Sequence, residues 1–323
     1  MSWQRDVSAD VGPAELVLTA TVARRYYLDG KSKIEIADEL KLSRFKVARL
    51  LDTARSSGLV RIDIGHPGEI DVNLSSELRD AYRLQHAIVV DTVEEHDTAL
   101  RQQIGLAAAE LLTEIVTVDD VLGLGWARSL MAMRAELTRL ASCPVVQLTG
   151  ALSRPDVDES SIELVRDVAR IAKGPAYYFY APMIVPDATT AAVLLRQPEV
   201  ARAIEQFASV TKAVVGIGSW DPPYSTVYDA VPAAERTKLL KLGVRGDVSG
   251  VLLDADGASV TAPLTRRMIG IDAAQLRRIP EVIGLGYGPE KALAARAAIL
   301  GGYVSGLVTH TSFARALLAL HSR

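Results

Sequence analysis

The chain has 323 residues, 49% of them hydrophobic, a formal charge of −3 and one cysteine. That size allows a large domain and a small one, and no low-complexity segment or internal repeat points to a fibrous or disordered class. A lone cysteine excludes an intrachain disulfide, and Cys143, followed by Pro144, Val145 and Val146, reads as a buried, inert thiol. The N-terminus carries Asp6 and Asp10 and lacks an apolar core, so no signal peptide is expected. The most apolar run, Gly174 to Pro186, is too short to span a bilayer and contains three prolines. A cytoplasmic protein without membrane contact follows as the expectation.

The net charge hides an asymmetry. Residues 1–65 hold eleven Lys/Arg against nine Asp/Glu, which leaves five net negative charges for the remainder. A small basic head on an acidic body can meet nucleic acid without a high overall pI.

In chain order, a first helix is expected from Pro13 through Leu16, Val17, Ala20, Ala23 and Tyr27 to Gly30. Ile34, Ile36, Ala37 and Leu40 then give a second, amphipathic helix. Ser43 can cap a third, whose apolar stripe is Val47, Leu50, Leu51 and Ala54. Gly58 stops it, and Leu59–Ile64 alternates as a strand should. Two short helices on a tight turn, followed by a strand, form the pattern of a winged helix-turn-helix. Residues 41–55 carry five bases against the single acid Asp52. A solvated helical pair is the plainer reading. The short turn, the basic bias and the strand favour double-stranded DNA, with Lys33, Ser43, Arg44, Phe45, Lys46 and Arg49 as candidate contacts.

His66-Pro67-Gly68 closes the wing, and a connector helix follows with Leu74, Leu78, Ala81, Tyr82 and Leu84. This helix has two options: packing on the larger domain, or pairing with its copy. Buried strands are expected at Ala87–Val90, Val121–Gly123, Pro144–Leu148, Ala213–Ile217, Val282–Leu285 and Gly306–Thr309. Helical patterns at 97–116, 129–141, 159–173, 189–208, 290–301 and 311–321 alternate with them. Such alternation implies a mainly parallel, Rossmann-like α/β sheet covered on both faces. Residues 246–262 read instead as an antiparallel hairpin. The expected organisation is 1–66 helix-turn-helix, 67–86 connector and 87–323 effector domain.

Three glycine turns could carry chemistry: Gly123–Ser129, Gly216–Trp220 and Gly284–Gly288, the last followed by Lys291. Small residues at strand ends let backbone amides approach an anion. Taken singly, each is as well explained as an ordinary α/β turn; together they favour a phosphate or polyhydroxyl site. Lys291, with the amides of Gly286-Tyr287-Gly288, is the expected phosphate holder. Asp247 is either a sugar-hydroxyl acceptor or a turn cap. No Walker A motif, full GxGxxG or nucleophile elbow is present. The histidines lack metal-ligand spacing, and Asp254-Ala-Asp-Gly257 has Thr265 where a calcium loop needs glutamate. Neither metal nor cofactor is expected. The rival to a regulator is a sugar-phosphate isomerase or deaminase fused to a DNA-binding head.

The segments LKLSRFKVARLLDTARSSGLVRIDI, LGLGWARSL, VVQLTGAL, VGIGSW, GDVSGVLLDADG and RRIPEVIGLGYGPEKALAARAAILGGYVSGLVTHTSFARALL carry a resemblance. In content and order they resemble the SorC/DeoR-type bacterial transcriptional regulators, over nearly the whole chain. The resemblance implies a helix-turn-helix joined to a sugar-binding domain similar to the ribose-phosphate isomerase and glucosamine-phosphate deaminase fold. It also implies a homo-oligomer, dimer or tetramer, whose operator affinity changes with a phosphorylated sugar or polyol. By the same resemblance, Gly125, Arg128 and Ser129 stand on a first phosphate-side loop, Thr149, Gly150 and Ala151 on a second, Gly218 and Ser219 on a third. Asp247 and Lys291 match the hydroxyl-binding acid and the phosphate-binding lysine. Three departures stand out. His310 replaces an expected Asp. Thr149 stands where some relatives have a Schiff-base lysine, so covalent capture is not expected. Trp126 and Trp220 are bulkier than usual, which bears on ligand size.

Overall fold

The computed structural model describes residues 12–60, 70–92, 97–152 and 160–321. The chain divides into two compact units, Met1–Gly65 and His66–Arg323.

In the small unit, α1 (Pro13–Tyr27), α2 (Lys33–Leu40) and α3 (Arg44–Ser56) enclose a core of Val22, Ile36, Ala37, Val47, Leu50 and Leu51. Ser32 and Glu35 form a capping box on α2, and the Ser43 hydroxyl accepts the Lys46 N–H to start α3. Lys41, in the left-handed region, makes the sharp turn between them. Two expected faces shift. Ile34 is exposed at the margin of the stripe: at about 100° per residue it lies near Ala37 but far round the helix from Ile36 and Leu40. Leu16 and Val17 are likewise exposed, and α1 faces inward through Thr19, Val22 and Ala23. The expected wing and the His66-Pro67-Gly68 boundary fall mostly on residues 61–69, outside the described residues.

In the large unit, α4 (Val72–Tyr82) packs on the α/β core through Leu74, Leu78 and Tyr82. The strands are β1 (His86–Val90), β2 (Leu122–Leu124), β3 (Val145–Gln147), β4 (Ala176–Tyr177), β5 (Lys212–Trp220), β6 (Pro223–Tyr224), β7 (Gly246–Val248), β8 (Val251–Leu253), β9 (Glu281–Leu285) and β10 (Gly306–His310). Seven run parallel in the order β1-β10-β9-β5-β2-β3-β4. Alternate residues feed two cores. Ala213, Val215 and Ile217 face one, with α4 and the helices Ala292–Leu300 and Thr311–His321. Val214, Leu122 and Leu124 face the other, with α5 (Asp97–Ile115), α6 (Arg128–Glu136) and α7 (Ser161–Ala172). A parallel sheet buried on both faces explains why its strands are apolar runs rather than alternating ones.

The order turns about β2 and β5. From β2 the chain proceeds outward to β3 and β4, whereas from β5 it proceeds the opposite way to β9 and β10. The carboxyl ends of these two adjacent strands therefore open a crevice, the place where such sheets bind ligands.

Three local expectations change. The helix expected over 189–208 is broken into Ala188–Leu195 and Pro198–Glu205, since Pro198 lacks an amide and Gln197 is extended before it. The segment 290–301 begins as a 3-10 turn, Pro289–Lys291, before its helix. The antiparallel piece expected over 246–262 has two turns: β7 and β8 join at Ser249-Gly250, both at positive φ, and Leu253 pairs antiparallel with Ser259 across Asp254–Gly257. In the second turn Asp254 accepts the amides of Asp256 and Ala258. Among the described residues no helix is long and apolar enough to cross a membrane.

Candidate ligand-binding cavity

At the β2–β5 crevice lies a cavity of about 280 Å³, lined by residues 126–129 after β2, 216–218 on β5, and the hairpin residues Asp247 and Ser249. The backbones come close because two glycines carry no Cβ. One added at Gly216 would meet the Ala127 Cβ at 2.4 Å, and one at Gly218 would meet Asp247 Oδ1 at 2.5 Å. The antiparallel register Gly218↔Asp247 brings that carboxylate to the cavity wall.

Lys291 forms the charged end. It is 7% exposed, and its ammonium lies 4.3 Å from the Tyr287 ring centroid and 5.0 Å from that of Tyr224. The aromatic faces stabilise the cation where water cannot. Burial nevertheless pulls its pKa down to about 8; Asp247 and Asp97 oppose the shift, and Arg128 and Arg101 add to it. The Tyr224 hydroxyl donates to Asp97 and is pushed up by burial and that partner.

Asp247 is 5% exposed. Its Oδ1 accepts from Trp220 Nε1 at 2.8 Å and from Ser225 Oγ at 2.5 Å. Burial pushes its carboxyl up, against those hydrogen bonds and the charge of Lys291. Asp247 is thus both an acceptor at the cavity and a structural tie.

Three further polar atoms on the cavity wall are buried without a hydrogen-bond partner: Trp126 Nε1, Thr149 Oγ1 and Ser249 Oγ. Buried polar groups are normally satisfied, so a cluster of orphans in one cavity indicates a polar occupant. Helix α6 adds positive potential. Ala127, Arg128 and Ser129 line the cavity, so the positive end of the helix dipole faces it, while the Leu130 and Met131 amides donate to the Ala127 carbonyl.

Of the sequence candidates, Arg128, Ser129, Thr149, Gly218, Asp247 and Lys291 converge on this wall. Gly125 stands just behind it, where a Cβ would meet Ser249 Oγ at 2.5 Å. Gly150, Ala151, Ser219 and Gly286 are not on the lining. The Gly150 and Ala151 amides donate to Ile269 and Ala181, and Gly286 donates to Val308. Gly288 donates to His310 Nε2 at 3.1 Å. The amide cradle expected at Gly286-Tyr287-Gly288 is therefore engaged internally at both glycines. His310 is buried, its pKa lowered by that burial, and it anchors this loop. Trp220 is not on the lining: its ring makes a T-shaped contact with Tyr228 and its Nε1 holds Asp247 from behind the wall. Cys143 is buried and shifted up to about 11, as an inert thiol should be. Sequence reasoning missed Tyr224, Ser225 and Ser249. The Asp221-Pro-Pro-Tyr-Ser225 stretch was a turn signal, but nothing in it announced contact with Lys291.

On the small unit, Arg44, Phe45, Lys46 and Arg49 are exposed along α3, opposite its buried stripe. Ser43 is occupied as the cap, and the Lys33 ammonium lies 5.9 Å from the Tyr26 ring centroid.

Residues 66–319 match the Sugar-bind family model, described as "Putative sugar-binding domain". The chain is 30% identical over 321 residues to the transcriptional regulator LsrR of Klebsiella pneumoniae, covering 97% of this chain and 96% of that protein. It is 33% identical over 307 residues to the "Uncharacterized transcriptional regulator YjhU" of Escherichia coli, covering 91% and 92%. The full-length sorbitol operon regulator SorC from Klebsiella pneumoniae has the same fold, with a TM-score of 0.72 at 23% identity, covering 94% of this chain and 99% of that one. These relatives are regulators, not enzymes. A basic helical head, an α/β unit with a polar cavity at its switch point and full-length similarity agree: the chain belongs to the SorC/DeoR-type family of sugar-binding transcriptional regulators.

Proposed function

We propose that this regulator binds operator DNA through α3 and that a phosphorylated sugar or polyol in the β2–β5 cavity changes its grip. The observation that carries the effector reading is the buried Lys291 ammonium beside Arg128 and the N-terminus of α6. Two cations and a helix terminus in one small cavity suit an anion such as phosphate. Asp247, Thr149, Ser249 and Trp126 supply acceptors and donors for hydroxyls on the same cavity wall. The reading includes a homo-oligomer on a pseudo-palindromic operator, since a single helix-turn-helix buries little surface for specificity. A thermal-shift screen tests it. Sugar or polyol phosphates should raise the melting temperature, a ligand at 100 times its Kd adding about 2.7 kcal/mol. Stabilisation by free sugars to the same extent would remove the phosphate from the reading.

The effector's affinity should also depend on pH. Lys291 is charged below about 8 and loses its proton above it. Phosphate binding should therefore weaken as pH rises through 8, by titration calorimetry at constant ionic strength. The free protein behaves oppositely. Because the folded pKa is depressed below the ordinary 10.5, the unfolded chain binds more protons between the two values. This group's contribution to stability therefore rises from pH 8 towards 10.5.

The DNA contact is tested at Arg49, an exposed cation on α3. Arg49→Ala should reduce the slope of log affinity against log salt by about one unit if it meets a phosphate. If it meets a base, the cost is about 1–3 kcal/mol at one operator position. Unchanged affinity and slope would take Arg49 out of the interface.

A further inference from the structure

A second chamber of about 280 Å³ adjoins the first and shares Met183 and Ser249 with it. Its wall joins the aliphatic side chains of Val251, Leu252, Val260, Ile269 and Ile271 to the neutral hydroxyl residues Ser259, Thr261 and Thr265. Among the described residues no Lys or Arg lines it, and one acid, Asp272, does and is engaged in capping Gln275. The partition between the chambers is thin: the Ser249-Gly250 turn and two methionines. A Cβ built on Gly250 would meet the Met183 terminal methyl at 2.4 Å and that of Met268 at 2.6 Å. Only a glycine, here at φ +86°, lets both methyls close over the turn. Methionine side chains are unbranched and change rotamer at low cost, so this closure is a soft one. Ser249, at the junction, is nine-tenths buried with its hydroxyl unpartnered.

We propose that the chamber beyond Met183 and Met268 is a second subsite, which takes an uncharged, largely aliphatic extension of the effector. This rests on reading the first cavity as the phosphate site. A second phosphate does not suit the chamber, because no cation stands there to meet it. At about 280 Å³ the first cavity suits a compact ligand, and a longer one reaches the second by moving the methionine pair.

The probes are inorganic phosphate and the methyl, butyl, hexyl and octyl monophosphates, titrated calorimetrically against the full chain. Affinity should climb steeply with chain length once the tail passes the methionines, by up to about four-fold per buried methylene. Ala273→Leu and, independently, Val260→Phe fill the chamber without touching the first cavity's lining. Both should flatten the chain-length dependence and leave inorganic phosphate binding as it is. A flat series in the unmodified protein, with phosphate still bound, would overturn the subsite while the phosphate reading stands. An equally steep rise in both plugged variants would overturn it too, since the tails would then be lodged elsewhere. If no phosphate probe binds or stabilises the chain, the phosphate reading fails and the subsite falls with it.

Discussion

Lys291→Met should raise the thermal midpoint of the free protein and at the same time remove most of its response to effector. The two effects have one cause. Lys291 is 7% exposed and its pKa is depressed mainly by burial, so its charge is held at a cost in the absence of an anion. Methionine keeps the aliphatic stem between Tyr224 and Tyr287 and removes the desolvated ammonium. Sites kept ready for a ligand commonly show this exchange of stability for function. With phosphate bound, the gain reverses sign: a charge-assisted bond is missing, costing about 1.5–3 kcal/mol, ten-fold or more in affinity. Operator binding should be unchanged, because α3 and its core belong to the other compact unit. Differential scanning calorimetry of the free protein, with effector titrated into the operator complex, reads both effects. A variant that melts lower and answers effector at the usual concentration would show Lys291 to be structural.

Asp247→Ala should destabilise the large unit by about 2–4 kcal/mol, measured by urea unfolding, whereas Asp247→Asn should cost far less. Asp247 Oδ1 is the acceptor for both Trp220 Nε1 and Ser225 Oγ, and both donor residues are buried. Alanine leaves both donors buried and unpaired. Asparagine retains an oxygen acceptor and removes a carboxylate that burial already disfavours. Ser225 in turn accepts the amides of Val227 and Tyr228, so the loss spreads into the turn that carries Tyr224. Equal destabilisation by the two substitutions would mean that the charge itself, facing Lys291, holds the site together.

Much of the fold was legible because it depends on local rules. The polar exterior and apolar stripe of α3 follow from helical spacing alone, and the Ser43 cap from side-chain chemistry. The parallel sheet followed from the alternation of apolar runs with amphipathic helices. Lys291 and Asp247, singled out beside glycine turns at strand ends, both line the cavity.

Residue type and local pattern named the side chains able to line a cavity; long-range packing selected the ones that do. Gly286 and Gly288 have the right composition for an anion cradle, yet their amides are taken by Val308 and His310, partners about twenty residues away. Tyr224 meets Lys291 across sixty-seven positions, and Ser249 enters the cavity only because the hairpin turns at Ser249-Gly250. Such contacts depend on strand register, and a slip of one residue turns every side chain to the opposite face. Register is set by packing between distant segments, so no local window of the chain contains it.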